Sequence, residues 1–522
     1  MKRILSLSII SVMIMSLFAF TPAFAQTDEE GYTYITDATL LDGKIFLNAT
    51  SGITEYYKYK LDSDITLTQG IKDVGNQKAG TTHLIIDGQG KYTINLNLTT
   101  GNVGVGLVNV AQGSESGEAI VEFKNLKIKA TIDTSDKDYA GAAVGYAAPY
   151  SKIILNNVTV VDNSSVNSSD STVTSSAGGL IGQATGATID MTNVYNYADV
   201  TTNSGRAAGL IGYTGTTKLT ITMNKCANYG KIVANTSNRQ IAGLIVTNNN
   251  SQDDEINISG CFNSADDMSA TAVAALVYFR KNNITGSLTN CFNVGSNKNY
   301  CFAYINNKDF SVENCYNAGS IKQYFYYVAN STFNTTNCYY LKDSLTDKIN
   351  ALYGASEITK EDLQNTPLST LFSSDVWEYN ENPTVNNAYP YPQIKNNPYV
   401  KPAEELPETL GTTGAIFKGE DLGEMDFADG TVNVTGKCLA AYGIAPDKFG
   451  WTKTYGIILK NTDTEEVFTA KAKKATDDGH YGILFYGTKL VEGTYEIKPF
   501  ATYEIGNVTE TVYGEPREEI IE

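Results

Sequence analysis

The sequence predicts an all-β protein, a parallel β-solenoid followed by a small β-sandwich. Three observations carry that prediction. Two short patterns recur in alternation between residues 106 and 338. Apolar residues alternate with polar ones ahead of each copy of the second pattern, as at Leu219, Ile221 and Met223, and a period of two is a strand signal. The composition suits strands and turns: 34 Tyr and 45 Gly, against 12 Pro and 18% charged residues. With 522 residues, 42% of them apolar, the chain is long enough for more than one core.

Residues 1–25 read as a signal peptide. Lys2 and Arg3 form the basic start, Ile4 to Phe20 is an apolar run, and Ala23-Phe24-Ala25 is an A-x-A cleavage site. Nothing later approaches the length of a spanning helix. The expectation is a secreted protein with no membrane span after cleavage. Leu406-Pro407-Glu408-Thr409-Leu410 ends in Leu where a wall-sorting pentapeptide has Gly, and it reads as spacer. Any attachment to a cell surface is then expected to be non-covalent.

The first repeated pattern is a small-apolar run. It reads Gly106-Leu107-Val108, Ala142-Ala143-Val144-Gly145, Gly179-Leu180-Ile181-Gly182, Gly209-Leu210-Ile211-Gly212, Gly243-Leu244-Ile245 and Ala275-Leu276-Val277, with starts 36, 37, 30, 34 and 32 residues apart. The second pairs a polar or small residue with an apolar one: Asn125-Leu126, Asn157-Val158, Asn193-Val194, Lys225-Cys226, Gly260-Cys261, Asn290-Cys291, Asn314-Cys315 and Asn337-Cys338. One such repeat cannot bury its own apolar face, and stacking repeats at about 4.8 Å per strand builds a continuous core. Gly at the corners admits positive φ and lets coils pack closely. One Asn per coil can bond its stacked twin. The five cysteines at 226, 261, 291, 315 and 338 should form a ladder of buried thiols; disulfides between coils are the alternative.

The A-G-G-L-I-G and A-G-L-I-G runs, with N-C-[YF]-N-x-G between them, resemble the GLUG-motif repeats of bacterial secreted and surface proteins. The resemblance implies a right-handed parallel β-helix of the pectate-lyase-like type. It covers roughly residues 32–398, with its best copies at 178–246 and an opening coil at 56–96. The segment 339–394, with Trp377 and Tyr389, looks like the piece that closes such arrays.

Residues 399–413 read as a linker, with Pro402 and Pro407 favouring an extended spacer. From 414 to 522 the pattern changes. Strand candidates are Thr431–Thr435, Thr454–Lys460, Glu466–Ala472, Gly482–Tyr486, Gly493–Tyr503 and Glu510–Val512, separated by turns such as Asp477-Asp478-Gly479. That spacing suggests a β-sandwich, and Gly493–Tyr503 resembles the late strands of immunoglobulin- or fibronectin-like modules.

The formal net charge is −18, and −20 once Lys2 and Arg3 are removed. A duplex nucleic acid and an anionic membrane are therefore disfavoured as partners, because either needs a basic face, and no nucleic-acid partner is expected. His83 and His480 are the only two histidines, and no zinc spacing is present. No cofactor is called for. Calcium would serve a β-helix lyase, but no calcium motif stands in the chain. The acidic groups Asp133/Asp136/Asp138, Asp253-Asp254-Glu255 and Asp266-Asp267 fall in turns. No catalytic pattern stands out. The binding candidates are Arg206 and Arg239, which precede successive repeat runs by similar distances, and the late tyrosines Tyr300, Tyr324, Tyr326 and Tyr339. Arginine suits anion recognition, and outward tyrosines suit stacking on sugar rings or on a protein. The function expected is non-catalytic adhesion to a glycan or a host or cell-surface protein; the alternative is a β-helix polysaccharide lyase or glycoside hydrolase.

Overall fold

A computed structural model describes Asp28 and residues 30–99, 103–134, 139–169, 175–236, 240–247, 253–265, 267–270, 272–280, 284–295, 299–305, 310–319, 321–327, 334–342, 355–379, 392–395, 410–427, 430–445, 452–473, 475–476, 479–488, 490–505 and 508–522. The expected leader at 1–25 and the spacer up to residue 409 lie outside them. The chain divides into two compact units, one ending at Trp377 and the other beginning at Glu378.

The first unit is a stack of coils whose strands pair in parallel, a β-helix-like solenoid. In its larger sheet, Ala119–Thr134 pairs with Ser151–Val160. The ladder continues through Thr188–Asn196, Thr220–Asn224, Asp254–Ser259, Ile284–Thr289 and Phe310–Glu313. Register puts Phe123, Leu155, Met191, Met223, Ile258, Leu288 and Val312 in one inward column, and all seven are buried. Each such side chain contributes about 1.5–3 kcal/mol. The solenoid also opens one coil earlier than residue 56: Thr33–Ile35 pairs in parallel with Tyr59–Leu61.

The second repeated pattern marks a corner. Its first residue has positive φ in every copy: Asn125, Asn157, Asn193, Lys225, Gly260, Asn290, Asn314 and Asn337 lie between +49° and +62°. Asn visits this left-handed region more readily than other side chains, which is why it dominates the column. The next residue turns inward, and from coil 226 onward it is cysteine. All seven cysteines are free and buried. The ladder is knit by its own backbone: the amides of Cys226, Cys261 and Cys291 donate to the Sγ of Cys261, Cys291 and Cys315 at 3.2, 3.4 and 3.4 Å. Two residues on, a second ladder of amides runs through the protein. Asn196 donates to Asn228, Asn228 to Asn263, Asn263 to Asn293 and Asn293 to Asn317, at 2.8–3.0 Å, with every member fully buried.

The small-apolar runs build a different corner. One ladder joins Tyr139–Gly141, Ser176–Gly178, Arg206–Ala208 and Gln240–Ala242. A second joins Val144–Ala147, Ile181–Ala184, Ile211–Thr214 and Ile245–Val246. Between them the chain bends sharply, with Ala142, Ala143, Leu180, Leu210 and Leu244 buried in the core. On the outer side the two ladders meet backbone to backbone. A Cβ on Gly145 would lie 2.2 Å from Val105 N, one on Gly141 2.4 Å from Gly182 N, and one on Gly178 2.5 Å from Gly212 N. The repeat glycines are thus required for close approach. The glycines of these runs do not have the positive φ expected of Gly at the corners; it falls on the Asn column, where Gly260 is the one glycine.

The outward aromatics Phe262, Phe292 and Tyr316 stack at 4.6 and 5.2 Å. They are closed over by Phe372 and Trp377, whose rings lie 4.3 Å apart. Trp377 Nε1 donates to Asn290 Oδ1 at 3.2 Å, and the Ser373 amide donates to Asn314 Oδ1 at 3.2 Å. The left-handed corner residues therefore also anchor this closing segment.

The second unit is antiparallel. Gly411–Glu420, Lys437–Ile444 and His480–Tyr486 form one sheet. Thr452–Asn461, Val467–Ala472, Gly493–Ile505, Val508–Tyr513 and Arg517–Ile521 form another. Leu439, Ala441 and Tyr481 of the first share an apolar cluster with Ile457, Leu459, Tyr495 and Ile497 of the second. The strand Gly411–Glu420 begins inside the stretch expected to be linker.

Candidate functional site

The outer corner of the second solenoid sheet is a shallow groove with a glycine floor. Residues seven apart in the chain face each other across it. Tyr139 and Tyr146 stand with ring centres 5.2 Å apart. Two coils on, by the register Tyr139↔Ser176↔Arg206 and Tyr146↔Gln183↔Tyr213, the same positions hold Arg206 and Tyr213. The Arg206 guanidinium lies 4.2 Å from the Tyr213 ring centre, a distance at which a cation is attracted to the ring face. Its Nε donates to Gln240 Oε1 at 3.0 Å. Burial pushes the Tyr213 hydroxyl above its ordinary value, while Arg206 and the exposed Arg280 pull it back.

Further along, the floor fills in. Register replaces Gly212 by Val246, then by Tyr278 and Tyr304. Ala208, Ala242, Ala274 and Cys301 line the facing ladder. These residues pack with Tyr213 into a cluster separate from the main core, and Tyr278 and Tyr304 stack at 4.4 Å with planes 10° apart.

Of the residues that the sequence singles out, Arg206 sits in this groove. Its register partner is Gln240; Arg239 lies outside the described residues. Tyr300 falls on the strand Asn299–Ile305, and Tyr324 and Tyr326 on Ile321–Tyr327, which continues the same sheet; their side chains lie outside the described residues. Tyr339 belongs to the other sheet, edge-on to Phe372 at 5.8 Å. Sequence patterning does not single out Tyr139, Tyr146, Gln183, Tyr213, Gln240, Tyr278 or Tyr304. The one signal available for Tyr146 and Tyr213 is their place immediately after the repeat glycines 145 and 212.

A second polar cluster lies on the outer face of the larger sheet near its start. His83 Nε2 is 3.0 Å from Glu122 Oε2, Lys124 is 3.6 Å from Asp87 and Lys152 is 3.6 Å from Asp190. The His83 hydrogen bond holds the Glu122 carboxyl below its ordinary value against the opposing effect of burial. Asp28 and Glu30 of the entering chain pair with Lys60 at 2.7 and 3.4 Å. Of the acidic residues expected in turns, Asp133, Asp254 and Glu255 lie on strands instead: Asp133 Oδ1 accepts from Asn167 and Ser169, and buried Asp254 accepts from the Leu219 amide, whereas Asp136, Asp138 and Asp266 lie outside the described residues. Among the described residues, no three His, Cys, Asp or Glu side chains come together as a metal-binding group, and no helix is long and apolar enough to cross a membrane.

No family model matches the chain, and no curated protein matches it. Two solved structures are similar. One is a putative immunoglobulin A1 protease from Bacteroides ovatus, 14% identical, with 71% of this chain and 94% of that one covered at a TM-score of 0.36. The other is the enzymatically active domain of tailspike protein 4 from bacteriophage CBA120, 11% identical, with 89% of this chain and 64% of that one covered at a TM-score of 0.18.

Proposed function

We propose that the chain is an exported, non-catalytic binding protein of bacterial surface type. In this reading the solenoid displays the groove from Tyr139 to Tyr304 as a contact strip for a glycan or a glycan-bearing surface, and the C-terminal unit serves as an accessory β-sandwich. The observation that carries it is Arg206 laid on Tyr213 between tyrosine pairs on one sheet face. The half-buried Tyr139, Tyr146 and Tyr304 with the Arg206 guanidinium between them provide stacking and charged hydrogen bonding on a rigid backbone. The test is retention of the protein, expressed without residues 1–25, on immobilised glycans and mucins, with products read by mass spectrometry. Retention without new fragments is the expected result. Absence of retention on every glycan and cell surface tried overturns the reading.

The His83–Glu122 pair favours a second reading, in which this hydrogen-bonded acid–base couple cleaves a polysaccharide. That reading expects new fragments in the same experiment, lost on Glu122→Gln.

A further inference from the structure

Resting on the binding reading above, we infer that Tyr150 is a sugar contact, set on a strained turn of the solenoid to stack on an uncharged ring of the ligand. Backbone, exposure and surroundings each lead to this.

The backbone comes first. Ala148-Pro149-Tyr150-Ser151 is a β-turn: the Ser151 amide donates to Ala148 O at 3.2 Å, and Tyr150 has φ +60°. Pro at the second position and positive φ at the third are the type II pattern, whose third position calls for Gly or Asn. The next coil turns on Gly186, also at +60°. Tyr150 is the one aromatic residue with positive φ among the described residues, and a bulky side chain is an outlier there. The neighbouring coils impose the conformation. Tyr150 N donates to Gly186 O, and Tyr150 O accepts from the Ala119 amide, both at 3.1 Å. Neither bond needs the ring. Strain held in place in this way gathers at ligand contacts.

Exposure is the second feature. Tyr150 is 47% exposed. Among the described residues it is the only large apolar side chain exposed between residues 104 and 377. Core packing therefore does not account for a tyrosine where the turn favours glycine. The turn follows directly on Val144–Ala147, the strand that carries Tyr146 of the groove.

The surroundings select the ligand. The Tyr150 hydroxyl donates to Glu115 Oε1 at 3.4 Å. The flanking coils bring exposed Glu115, Ser116, Glu118 and Thr217, and Gly186 brings no side chain. One ring among hydroxyls and carboxylates does not suit a protein partner, whose anchors sit in apolar, desolvated centres. It suits a pyranose, which offers a C–H face to the ring and hydroxyls to the acceptors beside it. The two carboxylates, in a chain of net charge −18, repel an anionic sugar.

The experiment reads retention of the purified protein by interferometry on immobilised dextran, mannan and desialylated mucin, with dextran sulfate as the charged comparison. Retention is expected on at least one of the first three, tighter than on dextran sulfate. Tyr150→Gly should weaken it by about fivefold, the scale of one aromatic stacking contact. The same variant should raise the thermal midpoint by about 2 °C, because glycine relieves the left-handed penalty. Loss of binding in a more stable protein cannot come from misfolding. Tyr150→Phe should stay within about twofold of wild type. Retention unchanged in Tyr150→Gly, a lower midpoint for that variant, or a Tyr150→Phe loss as large as that of Tyr150→Gly overturns the inference and leaves the binding reading standing. Retention confined to dextran sulfate or to cells does the same. No retention of wild type on any of these surfaces or on cells overturns both.

Discussion

Asn228 Nδ2 donates to Asn263 Oδ1 at 2.9 Å inside a fully buried row of amides, one per coil. The same nitrogen reaches Gly230 O at 3.0 Å, and the Asn228 oxygen accepts from Asn196 at 2.8 Å. The row ties each coil from Asn196 to Asn317 to its neighbour, and Asn228 also fixes its own turn. A buried polar chain of this kind is stable only while each group is satisfied.

Asn228→Ala should therefore cost roughly 2–4 kcal/mol, since it leaves partners on both sides short of a bond. Urea denaturation of the variant should show a lower midpoint with an unchanged slope. A loss below about 0.5 kcal/mol would mean that the ladder contributes little.

Lys225 is the one corner residue of its column that is neither Asn nor Gly, at φ +55°. Lys225→Gly should stabilise the protein by about 1 kcal/mol, the scale of the left-handed penalty for an ordinary side chain. Asn193→Val, by contrast, should destabilise it. Thermal unfolding of the pair would show shifts of opposite sign.

At the other corner the glycines answer to space. Gly145→Ala places a methyl 2.2 Å from Val105 N, with backbone rather than a flexible side chain in the way. The loss should reach about 3 kcal/mol, the upper end of overpacking costs. Gly90→Ala, where no atom lies within 4 Å but φ is +72°, should lose only the conformational term of about 1–2 kcal/mol.

Glu122 links stability to pH. Its carboxyl is held below the ordinary value of 4.5 by the His83 hydrogen bond. A group whose folded value is depressed stabilises the fold above its unfolded value, and that contribution is lost as pH falls through the folded one. Wild type should thus lose stability on acidification below about pH 4.5, and Glu122→Gln should flatten that part of the curve. NMR titration of His83→Gln should find the Glu122 carboxyl titrating at higher pH than in wild type.

All five ladder thiols are buried away from solvent. Burial pushes those of Cys226, Cys261 and Cys315 well above the ordinary range, while hydrogen bonds within the ladder draw Cys291 down, so that thiol is protected by its burial alone. A thiol reacts as its thiolate. Native protein at pH 8 should give almost no colour with a thiol-exchange reagent, whereas denatured protein should titrate all seven free cysteines. Fast labelling of the native state would show that the ladder opens.

The sequence by itself determined the coil. The Asn–Cys pair, the second Asn two residues later and the alternating strands ahead of them are local demands: a left-handed backbone, a small inward group and a self-complementary amide. Each residue type answers one of these, and so the ladders are legible in the chain alone. Six strands of the C-terminal unit are legible for the same reason. The tertiary structure decided what lies across a corner and which residues share a register. Coil lengths vary because turns absorb insertions, so spacing along the chain does not give the hydrogen-bonded register that sets Gln240 beside Arg206. In the chain, Tyr213 is one more residue after a glycine; its role comes from two strand rows that meet backbone to backbone and turn positions seven apart into opposite lips of one groove.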